Sequence, residues 1–513
     1  MEIVEDKALV FQHTDLLALK KKITRYKDIG GGETAVFWGT SEAKALAELG
    51  YADTPSPMLR DYTWTGKFTP FDHQRTTSSF LSIRKRAFCF NEQGTGKTAS
   101  VIWSADYLME QSEINRVLVI CPLSIMKSAW QQDLFTFAMH RTCSVAHGSA
   151  AQRRKILAVG AEFVIINPDG VAVVEKEILD GDFDMIVVDE ANAYKNSQTT
   201  RWKVLNRLSQ KIPWLWMLTG TPAAQSPVDA FGLAKLVNPE GVPKYFGAFR
   251  DKVMYKATQF KWVAKAHADT VVHSALQPAI RFEKDQCLDL PEVTVVEREA
   301  PLTPQQQKYY NILKQQMLIS AGGEDVTSIN AATNINKLLQ ISGGAAYTDD
   351  GDTMEFDVSN RLNVVLEAIN ESSHKVLVFI PFTHTINLLK KALDKAGVES
   401  DVINGKVSVN RRSDIVKGFQ EGDNVKVLLI QPQAASHGLT LTAANTIIWY
   451  APVTSVETYL QANARINRPG QHNPMTIVHI KGSPVEDHLY KMLNGNIENH
   501  QKIIDLYRME IEN

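Results

Sequence analysis

The sequence predicts an α/β fold of two doubly wound parallel-sheet lobes with helical protrusions and a small N-terminal accessory domain. Short apolar runs rich in branched and aromatic residues recur at 87–90, 117–121, 163–166, 185–188 and 215–218, with helical stretches between them. Strands covered on both faces by crossover helices read this way. A second series follows at 376–380, 427–430, 446–450 and 476–480. The length of 513 residues also exceeds what one hydrophobic core ordinarily serves.

Taken in order, residues 1–60 form the accessory domain, with a lysine cluster at 20–22, a triple glycine at 30–32 and a short apolar element at 35–38. Residues 61–285 make the first lobe and its protrusion, and 286–513 the linker helices and second lobe. The stretch 230–344 is predicted to be helical and free of strands, broken at Pro239, Pro243, Pro278, Pro291 and Pro301. Composition is that of a globular chain, 44% hydrophobic and 22% charged. With 55 Lys and Arg against 57 Asp and Glu there is no global basic field, so any polyanion-binding surface is local. Cys89, Cys121, Cys143 and Cys287 lie far apart with no C-x-x-C pair, which argues against structural zinc or a disulfide framework. The acidic start and the lack of a long apolar run predict a soluble, intracellular, cytoplasmic protein with no membrane partner, and a monomer is expected.

The string NEQGTGKT at 91–98 follows an apolar strand and precedes a helical stretch. Strand, glycine-bearing loop and helix in that order aim backbone amides at an anion. Gly94, Thr95 and Gly96 bring the backbone close, Lys97 neutralises the β- and γ-phosphates of a nucleotide, and the Thr98 hydroxyl ligates magnesium. Asn91 replaces the usual first glycine, and asparagine tolerates the left-handed backbone better than most residues. MIVVDE at 185–190 ends a strand in two carboxylates, where open parallel sheets place ligands. Asp189 is expected to hold Mg2+ and Glu190 to orient or deprotonate the attacking water of an ATP hydrolase.

These motifs make the chain resemble the superfamily-two helicases and, within them, the Swi/Snf-type DNA-dependent ATPases with two RecA-like lobes, especially compact phage or bacterial members, from about residue 68 to about 490. TPFDHQ at 69–74 resembles the glutamine motif, implying adenine recognition by Gln74. CPLS at 121–124 with Trp130 resembles the second motif, implying that Pro122, Leu123 and Ser124 contact a nucleic-acid backbone. DEAN at 189–192 followed by Lys195 and Asn196 resembles the acidic box, with Lys195 a further nucleic-acid contact. LTGTP at 218–222 matches the coupling motif, assigning that role to Thr219 and Thr221. Gly405, Arg412 and Phe419 fit the second lobe's spacing, and SHGLT at 436–440 resembles the fifth motif, implying nucleic-acid contact by Ser436 and His437 and coupling through Gly438. QANARINRPGQ at 461–471 resembles the last motif, making Arg465 and Arg468 arginine fingers and Gln461 a nucleotide contact. Helical spacing alone also puts Gln461, Arg465 and Arg468 on one face. The chain departs from the pattern at Asn192, Gln225 and His437, and has a single Arg281 where a doubled arginine is common.

The segment 244–265 interleaves basic and aromatic residues, which suits a nucleic-acid surface or, equally, an amphipathic helix that buries its rings. The runs 20–22, 84–86 and 153–155 read as solvated charged faces. The expectation is therefore an ATP- and Mg2+-dependent translocase or helicase on duplex, forked or branched DNA rather than RNA, in replication, recombination or repair and alongside proteins of those processes. A strand-separating DNA or RNA helicase is the alternative enzyme, and a nucleotide-dependent binding scaffold the alternative of another class.

Overall fold

The structure is a computed structural model and describes residues 1–220, 222, 226–257, 262–321, 328–347, 353–435 and 439–494. The chain divides into two compact units, Met1–Leu288 and Asp289–Asn513. The first holds a seven-stranded sheet in the order Ala279–Ile280, Arg86–Cys89, Trp214–Leu218, Met185–Asp189, Val117–Ile120, Phe163–Ile166, Cys143–Ala146. Every neighbouring pair is parallel. Because side chains alternate along a strand, Phe88, Leu118, Ile186 and Leu215 enter one core, and Ala87, Cys89, Val119, Val187 and Trp216 enter another on the opposite face. Both faces are buried, which is why these strands read as continuous apolar runs.

The second unit repeats the plan with six parallel strands, ordered Val293–Glu299, Met475–Lys481, Ala444–Trp449, Lys375–Phe379, Val427–Ile430, Ser400–Ile403. Its strands also divide between two cores, Leu377, Phe379 and Leu428 on one side and Val376, Val378 and Leu429 on the other. The predicted α/β class with two parallel sheets is therefore correct. The prediction that 230–344 lacks strands is not. Val293–Glu299 pairs along its whole length with Met475–Lys481, and Met254–Lys256 forms an antiparallel hairpin with Trp262–Ala264. Val293–Glu299 is an edge strand with most of its positions wholly or partly exposed, so it carries no buried apolar run to announce it.

Before the first parallel sheet stands a four-stranded antiparallel sheet, ordered Glu2–Val4, Ala8–Gln12, Glu33–Phe37, Tyr26–Gly30. Gly30, Gly31 and Gly32 all have positive φ and turn the chain between its last two strands, which explains the triple glycine. Leu9, Phe11, Leu19, Val36, Trp38 and Leu46 close a small core beneath it.

In two of the predicted solvated charge runs Lys85, Arg154 and Lys155 are exposed as expected, but Arg84, Arg86 and Arg153 are structural. Arg84 is buried, donates to the carbonyls of Phe80 and Ala52, and burial lowers its pKa to about 10. Arg86 reaches Leu236 O and Ser209 O, and Arg153 reaches Ala146 O and Gly148 O. Each guanidinium serves main-chain carbonyls of its own or other elements, a task a surface run does not advertise. Lys20, Lys21 and Lys22 are exposed as expected.

Candidate active site

Three adjacent strands end side by side. In the register of the first sheet, Cys89 lies opposite Leu218, and Leu218 opposite Asp189. With parallel strands about 4.8 Å apart, the loop 91–98, the Thr219–Gly220 turn and the Asp189–Glu190 pair leave one edge within roughly 10 Å. Cys121 and Pro122 leave the next strand at the same edge, since Ile120 lies opposite Val188.

Gly94 and Gly96 hold φ of 88° and 81°, left-handed values that favour glycine. A Cβ on Gly96 would lie 2.1 Å from Gln74 Nε2. The helix Lys97–Glu110 starts from Gly96 with no side-chain cap and no acid in its first turn. Its first amides are therefore open to an anion. Lys97 Nζ donates to Asn91 O at 2.7 Å and Glu92 O at 3.1 Å, across the mouth of the loop. Thr98 is half-buried beside it. Asn91 is not left-handed, contrary to the reason given for its place in the motif. It is buried, and its carboxamide donates to Thr77 Oγ1 at 2.8 Å and accepts from Phe282 N at 3.0 Å.

Gln74 is also buried. Its Oε1 accepts from Phe71 N at 3.0 Å and its Nε2 donates to Thr95 O at 3.2 Å, so it ties the helix Asp72–Ser82 to the loop. His73 Nε2 meets the same carbonyl at 2.8 Å, a contact that the sequence reading did not single out. Asp189 takes one hydrogen bond on each oxygen, Trp130 Nε1 on Oδ2 at 2.9 Å and Glu190 N on Oδ1 at 3.0 Å. Glu190 sits at φ 55° and ψ 55°. Left-handed backbone costs a non-glycine residue about 1–3 kcal/mol and concentrates at functional sites. A partly exposed carboxylate with remaining lone pairs and a hydroxyl at Thr98 form a hard-oxygen donor set suited to Mg2+ held jointly with phosphate.

Trp130, fully buried, comes from a π-helical turn, Met126–Gln131, that follows the Pro122–Ser124 segment. Leu123 is exposed, whereas Pro122 and Ser124 are partly buried. Lys195 Nζ donates to Asp229 at 3.1 Å. Thr219 is buried, and its amide donates to Cys89 O at 3.1 Å. Thr221, Gln225, Ser436, His437 and Gly438 lie outside the described residues.

In the second unit the helix bearing Gln461 is Val456–Asn463, so Arg465 and Arg468 are not on its face as the spacing predicts. The chain turns beyond Asn463, with Pro469 and then Gly470 at φ 95° following. The two guanidinium groups are gathered by a shared acceptor instead: Arg465 Nη1 and Arg468 Nη1 donate to Leu439 O at 3.3 and 3.2 Å. Arg465 also donates from Nε to Gln461 O at 2.7 Å and is buried, whereas Arg468 is half-buried. Gln471 anchors the turn through Thr442 O and Ala444 O.

In 244–265 the rings divide between core and surface. Phe249 and Val253 are core, Arg250 stacks on Trp262 at 3.9 Å, and Tyr245 and Tyr255 are exposed. Phe260 and Lys261 lie outside the described residues. Among the described residues, no helix is long and apolar enough to cross a membrane.

Comparison with known families matches residues 73–343, more than half of the chain, to the SNF2-related domain, and 360–470 to the helicase conserved C-terminal domain. A mouse relative, chromodomain-helicase-DNA-binding protein 1-like, is 24% identical over 81% of this chain and 47% of its own length. The putative protein p41 of Acyrthosiphon pisum secondary endosymbiont phage 1 is 25% identical over 80% of this chain and 93% of its own. The chain thus spans less than half of the mouse relative and nearly all of the phage one. Among solved structures, the Sulfolobus solfataricus SWI2/SNF2 ATPase core in complex with dsDNA is 21% identical over 87% of this chain and 96% of that one, with a TM-score of 0.43.

Proposed function

This chain belongs to the SNF2-related domain family, and from that premise we propose that it hydrolyses MgATP and couples the hydrolysis to movement along duplex or branched DNA. The observation that carries the reading is the convergence of the loop 91–98, the Asp189–Glu190 pair and Thr219 at one edge of the first sheet. Lys97 and the amides beginning its helix take the phosphates, and Thr98 and Asp189 hold Mg2+, which shields phosphate charge when bound. Glu190 orients the attacking water and takes its proton. Gln74 reads the base from its post beside the loop. Arg465 and Arg468 supply the positive charge that a transferring phosphoryl group requires, with Gln461 beside them. Thr219 and Thr221 relay hydrolysis to movement, as does Gly438. Pro122, Leu123, Ser124, Lys195, Ser436 and His437 track phosphates without reading sequence, as a motor on arbitrary DNA requires.

The test is ATP turnover with single-stranded, duplex, forked and four-way DNA and with RNA over a salt series, beside triplex displacement. Duplex or branched DNA should stimulate most, with a steep salt dependence, and a triplex strand should be displaced. Efficient unwinding of plain duplex without triplex displacement would overturn translocation. Unchanged turnover in Glu190→Gln would overturn the site.

A further inference from the structure

The loop that presents Lys97 is gripped by the segment through which the chain leaves the first unit. Ala279–Ile280 lies parallel beside Arg86–Cys89. The pairing then continues past the strand, with Phe90 N donating to Ile280 O at 2.8 Å and Glu92 N to Phe282 O at 2.9 Å. Two loop side chains add to the grip: Phe282 N donates to Asn91 Oδ1 and Lys284 N to Glu92 Oε2, each at 3.0 Å. The Arg281 guanidinium lies 3.8 Å from the other Glu92 oxygen. The buried Asn91 carboxamide also holds Thr77, on the helix that bears Gln74, so one side chain joins that helix, the loop and the departing segment. Lys97 Nζ bonds the main-chain carbonyls of the same two residues, Asn91 and Glu92. Soon after Lys284, at Asp289, the second unit begins.

We propose that Asn91 and Glu92 are positioning residues that tie occupancy of the phosphate loop to the connector at 279–288. This rests on the reading of Lys97 as a phosphate ligand. An ammonium has three donors, and two of those of Lys97 are spent on the Asn91 and Glu92 carbonyls. Bonding both a β- and a γ-phosphate oxygen takes at least one of them back. The freed carbonyl shifts the residue whose side chain holds Phe282 N or Lys284 N, and the connector loosens. The departure from glycine at position 91 thereby has a function: glycine offers no carboxamide to hold Thr77 and Phe282 together.

Arg281 and Lys284 are themselves trypsin sites, which makes the connector directly readable. The full chain is digested briefly with and without a non-hydrolysable ATP analogue plus magnesium, and cleavage after these two residues is timed by mass spectrometry. The analogue should speed cleavage by about fivefold, the worth of one net hydrogen bond. Asn91→Ala and Glu92→Ala should raise nucleotide-free cleavage by a similar factor and remove most of the analogue's effect. Glu92→Gln, which keeps an acceptor for Lys284 N, should restore it, an outcome that general destabilisation of the loop does not produce. If the parent binds a fluorescent ATP analogue, Lys97→Ala does not, and cleavage is nevertheless indifferent to nucleotide or alike in Glu92→Ala and the parent, the coupling is wrong. If Lys97→Ala binds the fluorescent analogue as well as the parent does, the pocket assignment is what fails.

Discussion

Replacing Trp130 by Phe removes the indole donor to Asp189 while keeping an aromatic ring in the core. The indole Nε1 donates to Asp189 Oδ2 at 2.9 Å from a fully buried position. A hydrogen bond to a charged acceptor contributes about 1.5–3 kcal/mol. Without it the carboxylate keeps, among the described residues, Glu190 N on its other oxygen, and can turn away from the proposed Mg2+ position. Half-saturating Mg2+ for ATP turnover should therefore rise by about tenfold or more, the lower end of that range. The lost pyrrole ring costs a further 1–3 kcal/mol or so of packing, read as a fall in Tm of about 2–4 °C per kcal/mol for a unit of this size. The assay is steady-state turnover against Mg2+ concentration, with Tm measured on the same preparations. A variant with lowered Tm but unchanged Mg2+ dependence and kcat would show that Trp130 merely packs, and would refute the reasoning.

The two arginines of the second unit should separate by readout. Arg465→Ala removes a buried donor from Gln461 O and Leu439 O and should cost about 2–4 kcal/mol of stability. Arg468→Ala should lower kcat by about 10³-fold with a smaller change in Tm. His479 is fully buried against Tyr490, with Nε2 at 2.9 Å from the Tyr459 hydroxyl, and burial pushes its imidazole down to about 4. The unfolded chain binds a proton near the ordinary value of about 6.5 and the folded chain only near 4. Stability is thus full above about pH 6.5 and declines as pH falls toward 4, by at most about 3 kcal/mol. In His479→Phe that part of the decline, followed as Tm against pH, should vanish. The buried Arg361–Glu486 pair, 2.7 Å apart, gives the last case. Arg361→Ala should cost about 3–5 kcal/mol in denaturant melts because it leaves a buried carboxylate without its counter-charge, held only by Gly482 N, Ser483 N and Ser483 Oγ among the described residues.

Local order along the chain was sufficient for the two parallel sheets and the glycine loop at 91–98. A strand buried on both faces must be apolar throughout, and a strand–glycine loop–helix string has its geometry within eight residues. Legibility failed where a role depends on distant partners. Val293–Glu299 is a strand because Met475–Lys481 lies beside it, and its own half-exposed pattern does not distinguish it from a loop. Arg84 and Arg86 look like surface charge until the carbonyls they serve, up to 150 residues away, are brought to them. Arg465 and Arg468 were grouped by a helical period that ends at Asn463, and it is the Leu439 carbonyl that gathers them.

Asn91 divides the two contributions most clearly. The sequence by itself determined the glycine-bearing turn between strand and helix at 91–98, because Gly94 and Gly96 act through backbone freedom. Only the tertiary structure decided what Asn91 does there. It keeps an ordinary backbone conformation, and its carboxamide is satisfied by Thr77, fourteen residues before it, and Phe282, 191 after it. A buried amide must find partners wherever the fold supplies them, and no local rule can name a partner that arrives from the far end of a lobe.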